Sequence, residues 1–323
     1  MNAVIAGAGA AGLLHALALR AAGVRIAAIY DPDPSRARAL AESVGGIAVP
    51  TFDALASVGS EIAAVCSPPR VHVEQAEVLA RGGRAVFVEK PVATTEEELD
   101  RLLALPRCIP IAQWRAGRAI RAVRRAIAHG ELGPAPVAAV DLAWGRDEAY
   151  FHARKGWGCG ALLSIGIHAL DVLVWAIGQP IEGVSGMTSR REGAEHETAA
   201  TALLRFRGGA KATLRLSLDG GGDSTRMSFC GRGVTACIEG GEADPTASLV
   251  RWSALDDAAR VRLEELERAT PGALGPPLLV PFVGDAIAAL REGRNPIGIA
   301  DVADAHRAAM VIASRASGAA TAA

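Results

Sequence analysis

A chain of 323 residues is longer than one typical compact domain and suits two, each large enough to bury its own core. Its 34 basic and 35 acidic residues leave a formal charge of −1 with no long block of one sign, so it carries no electrostatic footprint for nucleic acid or an anionic membrane, and small-molecule partners are the expectation. The five cysteines, Cys66, Cys108, Cys159, Cys230 and Cys237, are odd in number and form no C-x-x-C pair, which argues against a disulfide framework or metal site and for a reducing, cytoplasmic setting.

The N-terminal “MNAVIAGAGAAGLLHALALRAAG” is apolar enough to imitate a signal peptide but lacks a basic leader. No apolar run reaches the roughly 20 uncharged residues of a membrane helix. The run “AVIAG” leads into an expected helix over 11–22, “VRIAAIYD” into one over 35–44, “EIAAVCSPP” into one near 72–81, and “RAVFVEKP” into one over 95–104. Repeated βα units of this size predict an α/β domain, a doubly wound parallel sheet with helices on both faces. Strands covered on both sides read as continuous apolar runs, as these do.

After “IPIAQWR” the pattern changes. In “RAIRAVRRAIAHGELG” Ile120, Val123 and Ile127 form one stripe of an amphipathic helix that Gly130 or Gly133 ends. That helix bridges into a second domain, giving an expected division into 1–118 and 119–323. In “KATLRLSLD” Ala212, Leu214, Leu216 and Leu218 alternate with Lys211, Thr213, Arg215 and Ser217, the mark of a sheet with one buried face. The second domain is therefore expected to be α+β with a largely antiparallel open sheet. Two helices, in “VPFVGDAIAALREG” and “ADVADAHRAAMVIASRASG”, close the chain, and the tail “GAATAA” is expected to fray.

Chemistry enters first at “GAGAAG”, that is Gly7, Ala8, Gly9, Ala10, Ala11 and Gly12, directly between the first strand and the first helix. Glycines there permit a tight turn, close approach of backbone to a pyrophosphate, and helix packing on the strand, while the helix N-terminus offers unpaired N–H groups. Asp31 ends the second strand, where a carboxylate accepts hydrogen bonds from the adenosine ribose hydroxyls and repels a 2′-phosphate. NAD is expected in preference to NADP.

Taken in order with that loop, three further stretches resemble the glucose–fructose oxidoreductase, inositol dehydrogenase and rhizopine catabolism family, Gfo/Idh/MocA. “SPPRVH”, Ser67 to His72, is similar to its T/S-P-N-x-x-H segment, with Pro69 in place of the asparagine. “EKP”, Glu89 to Pro91, matches its E-K-P signature. “GCGALLSIGIHALD” is similar to its G-G-G-x-L-x-D-x-G-x-H-x-x-D segment, with Cys159 for a glycine and Ser164 for the first aspartate. The resemblance implies a Rossmann domain followed by an α/β domain whose open sheet forms an oligomer interface, making a homodimer or homotetramer the expected assembly. It implies hydride transfer between a nicotinamide and a secondary alcohol of a sugar, amino sugar, cyclitol or nucleotide sugar. By the same likeness Ser67, Pro68, His72 and Glu89 join the cofactor residues, Lys90 sits near both the cofactor and the reacting hydroxyl, and His168 is the acid/base.

Those roles suit the residue types. A histidine has both protonation states within reach near neutrality, and an ammonium stabilises negative charge developing on oxygen. Lys90 is one of only three lysines. For His168 two readings stay open from the residues alone. In a helix it neighbours Asp171 at i, i+3, which would serve equally a packed histidine and an acid/base oriented by a carboxylate. Candidate substrate contacts are Trp114, Arg115, Tyr150, Lys155, Trp157, Ser164 and Asp171. Two alternatives keep the fold and change the function: a redox-assisted glycosidase or imine reductase using NAD, and a nicotinamide-sensing protein without catalysis.

Overall fold

The computed structural model describes residues 1–240, 248–275 and 277–315; the “GAATAA” tail lies outside them. Strands β1 (Asn2–Ala6), β2 (Arg25–Tyr30), β3 (Ile47–Ala48), β4 (Ile62–Val65), β5 (Ala85–Val88) and β6 (Cys108–Pro110) form one sheet in the order β3-β2-β1-β4-β5-β6, with every neighbouring pair parallel. That is the doubly wound order, whose ligand crevice opens outside the carboxyl ends of the strands where the order reverses, between β1 and β4. β4 and β5 are buried throughout, which accounts for their unbroken apolar sequence.

The connecting helices are α1 (Ala10–Ala21), α2 (Pro34–Val44), α3 (Phe52–Ser57), α4 (His72–Ala80) and α5 (Glu96–Leu103). Local chemistry sets their starts. Asp33 caps α2 by accepting the Ser35 N–H, with Pro34 in the first turn. Thr95 and Glu98 cap α5 reciprocally in a capping box. β3, α3 and β6, each six residues or fewer, are elements that hydrophobic periodicity did not pick out.

The second sheet is built from β7 (Val137–Trp144), β8 (Ile181–Ser189), β9 (Ala199–Phe206), β10 (Lys211–Ser217), β11 (Asp223–Gly231), β12 (Val234–Gly240) and β13 (Arg251–Ala254), in the order β13-β12-β11-β7-β10-β9-β8. Only the β7–β10 pair is parallel. The alternation read in “KATLRLSLD” is present: Ala212, Leu214 and Leu216 are buried and Lys211, Thr213 and Arg215 exposed.

Its helices are α6 (Arg118–Ala128), α7 (Glu148–Ala153), α8 (Ile167–Ile177) and α9 (Asp257–Arg268). α6 stops before Gly130, whose φ of +77° reverses the chain. α8 packs on β10, and a Cβ on Gly166, immediately before α8, would lie 3.0 Å from the Leu216 side chain. The remaining helices are α10 (Leu279–Arg291) and α11 (Ala300–Arg315).

The chain divides into two compact units, Met1–Ala112 with Leu279–Ala303, and Gln113–Leu278 with the described residues from Asp304 onward. α10 thus returns to the first unit. It packs on α1, and Arg291 donates to the carbonyl of Ala22 at 2.8 Å. No helix among the described residues is long and apolar enough to cross a membrane.

Candidate active site

The chain leaves β1 at Gly7 with φ +101°, a conformation that favours glycine. A Cβ there would stand 2.6 Å from the carbonyl oxygen of Cys66, just past β4, and one on Gly12 would stand 2.0 Å from the carbonyl oxygen of Gly7. Backbone meets backbone at both places. Gly9 differs, because its Cα faces open space and it caps α1 without any side-chain hydrogen bond. The first-turn amides of α1 therefore have no side-chain acceptor, and the space over Gly9 is clear, which fits a pyrophosphate. Asp31, immediately after β2, accepts the Ala8 N–H at 2.7 Å on one oxygen and the Asp33 N–H at 2.9 Å on the other. Each oxygen keeps a lone pair for a ribose hydroxyl.

Beside the loop, Ser67 donates its hydroxyl to Gln75 of α4 at 2.6 Å, and Pro68 leads into a 3₁₀ turn over Pro69–Val71. His72 is buried. Its Nε2 is 2.7 Å from the carbonyl oxygen of Ser67 and its Nδ1 is 2.9 Å from that of Pro91. Burial pushes this imidazole below its ordinary range despite those two carbonyls. His72 is thus a strut between the segment after β4 and the E-K-P segment after β5. Glu89 places one oxygen 2.9 Å from Nε2 of the fully buried His15 and accepts the Lys90 N–H at 3.0 Å on the other. The Lys90–Pro91 peptide is cis.

His15 was not singled out in the sequence. The available signal was one ionisable residue on the inner stripe of α1, whose other buried residues are Gly12, Ala16, Ala18 and Leu19.

In the second unit “LLSIG” forms a π-helical turn, Leu162–Gly166, that runs directly into α8. Such a turn holds an extra residue, so it resets which side chains share a face with His168, and such turns are frequent at functional sites. His168 is 7 % exposed and stacks on Trp114, with ring centroids 5.0 Å apart and planes inclined by 16°. Trp114 leans in turn on Trp144 of β7, whose indole N–H donates to Thr225 at 3.0 Å.

Asp171 receives two bonds from Arg115, at 2.9 and 2.5 Å, and both residues are buried. The structure therefore brings Trp114, Arg115, His168 and Asp171 together, with Arg115 and Asp171 engaged on each other.

Ser164, Tyr150 and Lys155 line a cavity of about 300 Å³, together with Cys159, Gly160 and Glu197. Trp157 is beside it, its ring under the Arg154 guanidinium at 4.9 Å, and the same guanidinium covers Tyr150 at 3.6 Å. Glu197 was also not singled out, although it lies in “HETAATALLRF”. Its carboxylate accepts the Leu162 N–H at 3.0 Å, and burial raises its pKa. The carboxylate occupies the space a side chain on Gly160 would need, 2.2 Å from a Cβ built there.

Residues 1–107 match a family model described as the GFO/IDH/MocA oxidoreductase family, NAD-binding Rossmann fold, and residues 120–236 match the GFO/IDH/MocA C-terminal domain. Inositol 2-dehydrogenase 2 of Saccharopolyspora erythraea is 28% identical over 210 residues, 60% of this chain and 58% of that protein. D-glucoside 3-dehydrogenase of Escherichia coli is 28% identical over 173 residues, 49% of this chain and 48% of that protein. The chain spans about half the length of the curated relatives it matches. Among solved structures, the WlbA dehydrogenase of Bordetella pertussis in complex with NADH and UDP-GlcNAcA has a TM-score of 0.84 at 20% identity, covering 98% of this chain and 95% of that one. Levoglucosan dehydrogenase in complex with NADH and L-sorbose has a TM-score of 0.80 at 18% identity, covering 98% and 97%. At these identities the likeness is one of fold.

Two outcomes follow from the geometry. Gly12→Ala is expected to weaken NADH binding by at least about tenfold, ~1.4 kcal/mol, because the loop must open to admit the methyl group; fluorescence titration measures it. Arg115→Met leaves Asp171 as an unpaired buried charge and is expected to cost about 3–5 kcal/mol, and replacing Asp171 by Leu in the same chain should recover part of that loss in denaturant unfolding.

Proposed function

The chain belongs to the Gfo/Idh/MocA oxidoreductase family, and we propose that it is an NAD-dependent dehydrogenase or reductase acting on a secondary alcohol, or the corresponding ketone, of a sugar, amino sugar, cyclitol or nucleotide sugar. The observation that carries the reading is the convergence of three segments at the carboxyl ends of β1, β4 and β5. There the glycine loop abuts Cys66, Ser67 is bridged through His72 to Pro91, and Glu89 holds the backbone of Lys90.

When bound, the nicotinamide supplies the carbon that exchanges the hydride. Gly9 and the first-turn amides of α1 bind the pyrophosphate, and Asp31 orients the adenosine ribose and disfavours a 2′-phosphate. Loss of hydride from an alcohol carbon must be matched by loss of the hydroxyl proton. His168 takes that proton in oxidation and returns it in reduction. The stacked Trp114 ring limits rotation of the imidazole and so keeps its nitrogens aimed. Lys90 stabilises the negative charge that develops on the reacting oxygen.

The cavity of about 300 Å³ lies at the small end of the range for ligand pockets. Ser164, Tyr150 and Glu197 supply it with hydroxyl and carboxylate groups suited to a polyol. Ser164, where the family pattern has an aspartate, donates as well as accepts and adds no charge.

Incubated with a panel of inositols, amino sugars and nucleotide sugars, the protein is expected to change absorbance at the reduced-nicotinamide band, with higher kcat/KM for NAD than for NADP. Lys90→Met and His168→Asn should each lower kcat by about 10²–10⁴-fold while NADH binding persists. Full activity in both variants would falsify these roles, and NAD that co-purifies without net turnover would favour glycoside cleavage.

The assembly we propose is a homodimer or homotetramer formed through the exposed face of the second sheet, where Met187 of β8 and Leu203 of β9 stand 72% and 59% exposed. Light scattering should give two or four chains for the native protein and a lower mass for Leu203→Glu; a monomeric native protein overturns it.

A further inference from the structure

We propose that His15 is a positioning residue that ties the helix carrying the dinucleotide loop to the E-K-P segment, so that the placement of Lys90 depends on a charge pair buried beneath that loop. The role of Lys90 itself rests on the reading above. The geometry of the pair does not.

An imidazole with no exposed surface on the packed stripe of α1 is costly unless a partner compensates it. The partner is Glu89, whose Oε1 lies 2.9 Å from Nε2 of His15. Nδ1 has no oxygen or nitrogen partner, and the ring is held by the ion pair, by packing and by the adjacent Cys66 thiol. The other oxygen of the same carboxylate accepts the Lys90 N–H at 3.0 Å. One carboxylate therefore joins the interior of α1 to the backbone of Lys90.

On the far side of Lys90, the carbonyl of Pro91 faces Nδ1 of His72, whose Nε2 faces the carbonyl of Ser67. Lys90 lies between Glu89, paired with buried His15, and Pro91, whose carbonyl stands 2.9 Å from buried His72. α1 supplies both the first-turn amides at one end and, one turn further in, His15, so the same helix reaches the dinucleotide loop and Glu89.

The charged groups that face the pair are few. Cys66 stands beside His15, but burial pushes the thiol above its ordinary range and it stays uncharged at neutral pH. The Lys90 ammonium acts on Glu89 in addition to its backbone N–H, and buried His72, held below its ordinary range, also feels Glu89. Burial alone would lower His15; Cys66 and then Glu89 draw it upward, and because the Cys66 thiol is neutral at physiological pH, Glu89 is the charge that favours the imidazolium there. Burial alone would raise Glu89, and His15 followed by Lys90 draw it down to about 2. His15 is raised, so its contribution to stability is whole below its ordinary 6.5 and is lost as pH climbs towards 10. Glu89 is lowered, so its contribution is whole above its ordinary 4.5 and is lost as pH falls towards 2.

The test uses the full chain without substrate or cofactor, which separates its outcome from that of the oxidoreductase reading. With only three lysines, selective ¹⁵N-lysine labelling yields three backbone amide signals, Lys90, Lys155 and Lys211, assigned by Lys155→Arg and Lys211→Arg. In the native protein the Lys90 signal is expected to stay fixed between about pH 5 and 8, and the His15 ring carbon to keep its imidazolium shift across that range. In His15→Gln the Lys90 signal should move by several linewidths and titrate in the acid range as Glu89 loses its cationic partner, with the other two signals unmoved. If His15→Gln does not fold, the native titrations decide alone. A His15 ring that titrates at or below its ordinary value overturns the proposal, as does a Lys90 signal indifferent to His15→Gln.

Discussion

Gly7 is pressed against the carbonyl of Cys66 and Gly12 against the carbonyl of Gly7, with no room for a methyl group at either contact. This approach of backbone to backbone at the point where the strand order reverses is the constraint from which the rest of the first unit follows. It brings the end of β1 onto the end of β4, turns the N-terminus of α1 towards the open crevice, and leaves Gly9 unobstructed above it. A side chain at Gly7 or Gly12 would separate the two strand ends, and the amides that suit a pyrophosphate would no longer be aimed together.

Polar groups in the same region are held by burial with a partner. His72 spans two carbonyls, Glu89 spans His15 and the Lys90 amide, and Asp31 takes two backbone N–H groups beside the loop. A polar group withdrawn from water keeps its geometry because leaving a partner costs about 1–3 kcal/mol or more. Through Glu89 this desolvated pairing reaches the backbone of Lys90.

The second unit uses different means for the same end. Around His168 the constraints are an aromatic column, Trp144 to Trp114 to the imidazole, and a buried Arg115–Asp171 pair anchoring the segment that carries Trp114 onto α8. The π-helical turn before α8 sets where Ser164 falls relative to His168, and Glu197 closes the space over Gly160. Ser164, where the family pattern has an aspartate, lines the adjoining cavity with an uncharged hydroxyl.

Much of this was legible in the residues. Continuous apolar runs beside glycines and capping residues marked the parallel sheet and its helices, strict alternation in “KATLRLSLD” marked the half-buried sheet, and the order of “GAGAAG”, “SPPRVH”, “EKP” and “GIHALD” marked the family. These are local signals, carried by residues a few positions apart, and local periodicity and turn chemistry need no knowledge of distant contacts. What only the tertiary structure decided are the partners. That Asp171 binds Arg115, 56 positions away, that His15 meets Glu89 across 74, and that α10 returns to pack on α1 depend on which buried groups the folded chain brings within bonding distance. Desolvation makes such pairings obligatory once the fold exists, but the spacing of residues along the chain does not encode which pairs will meet.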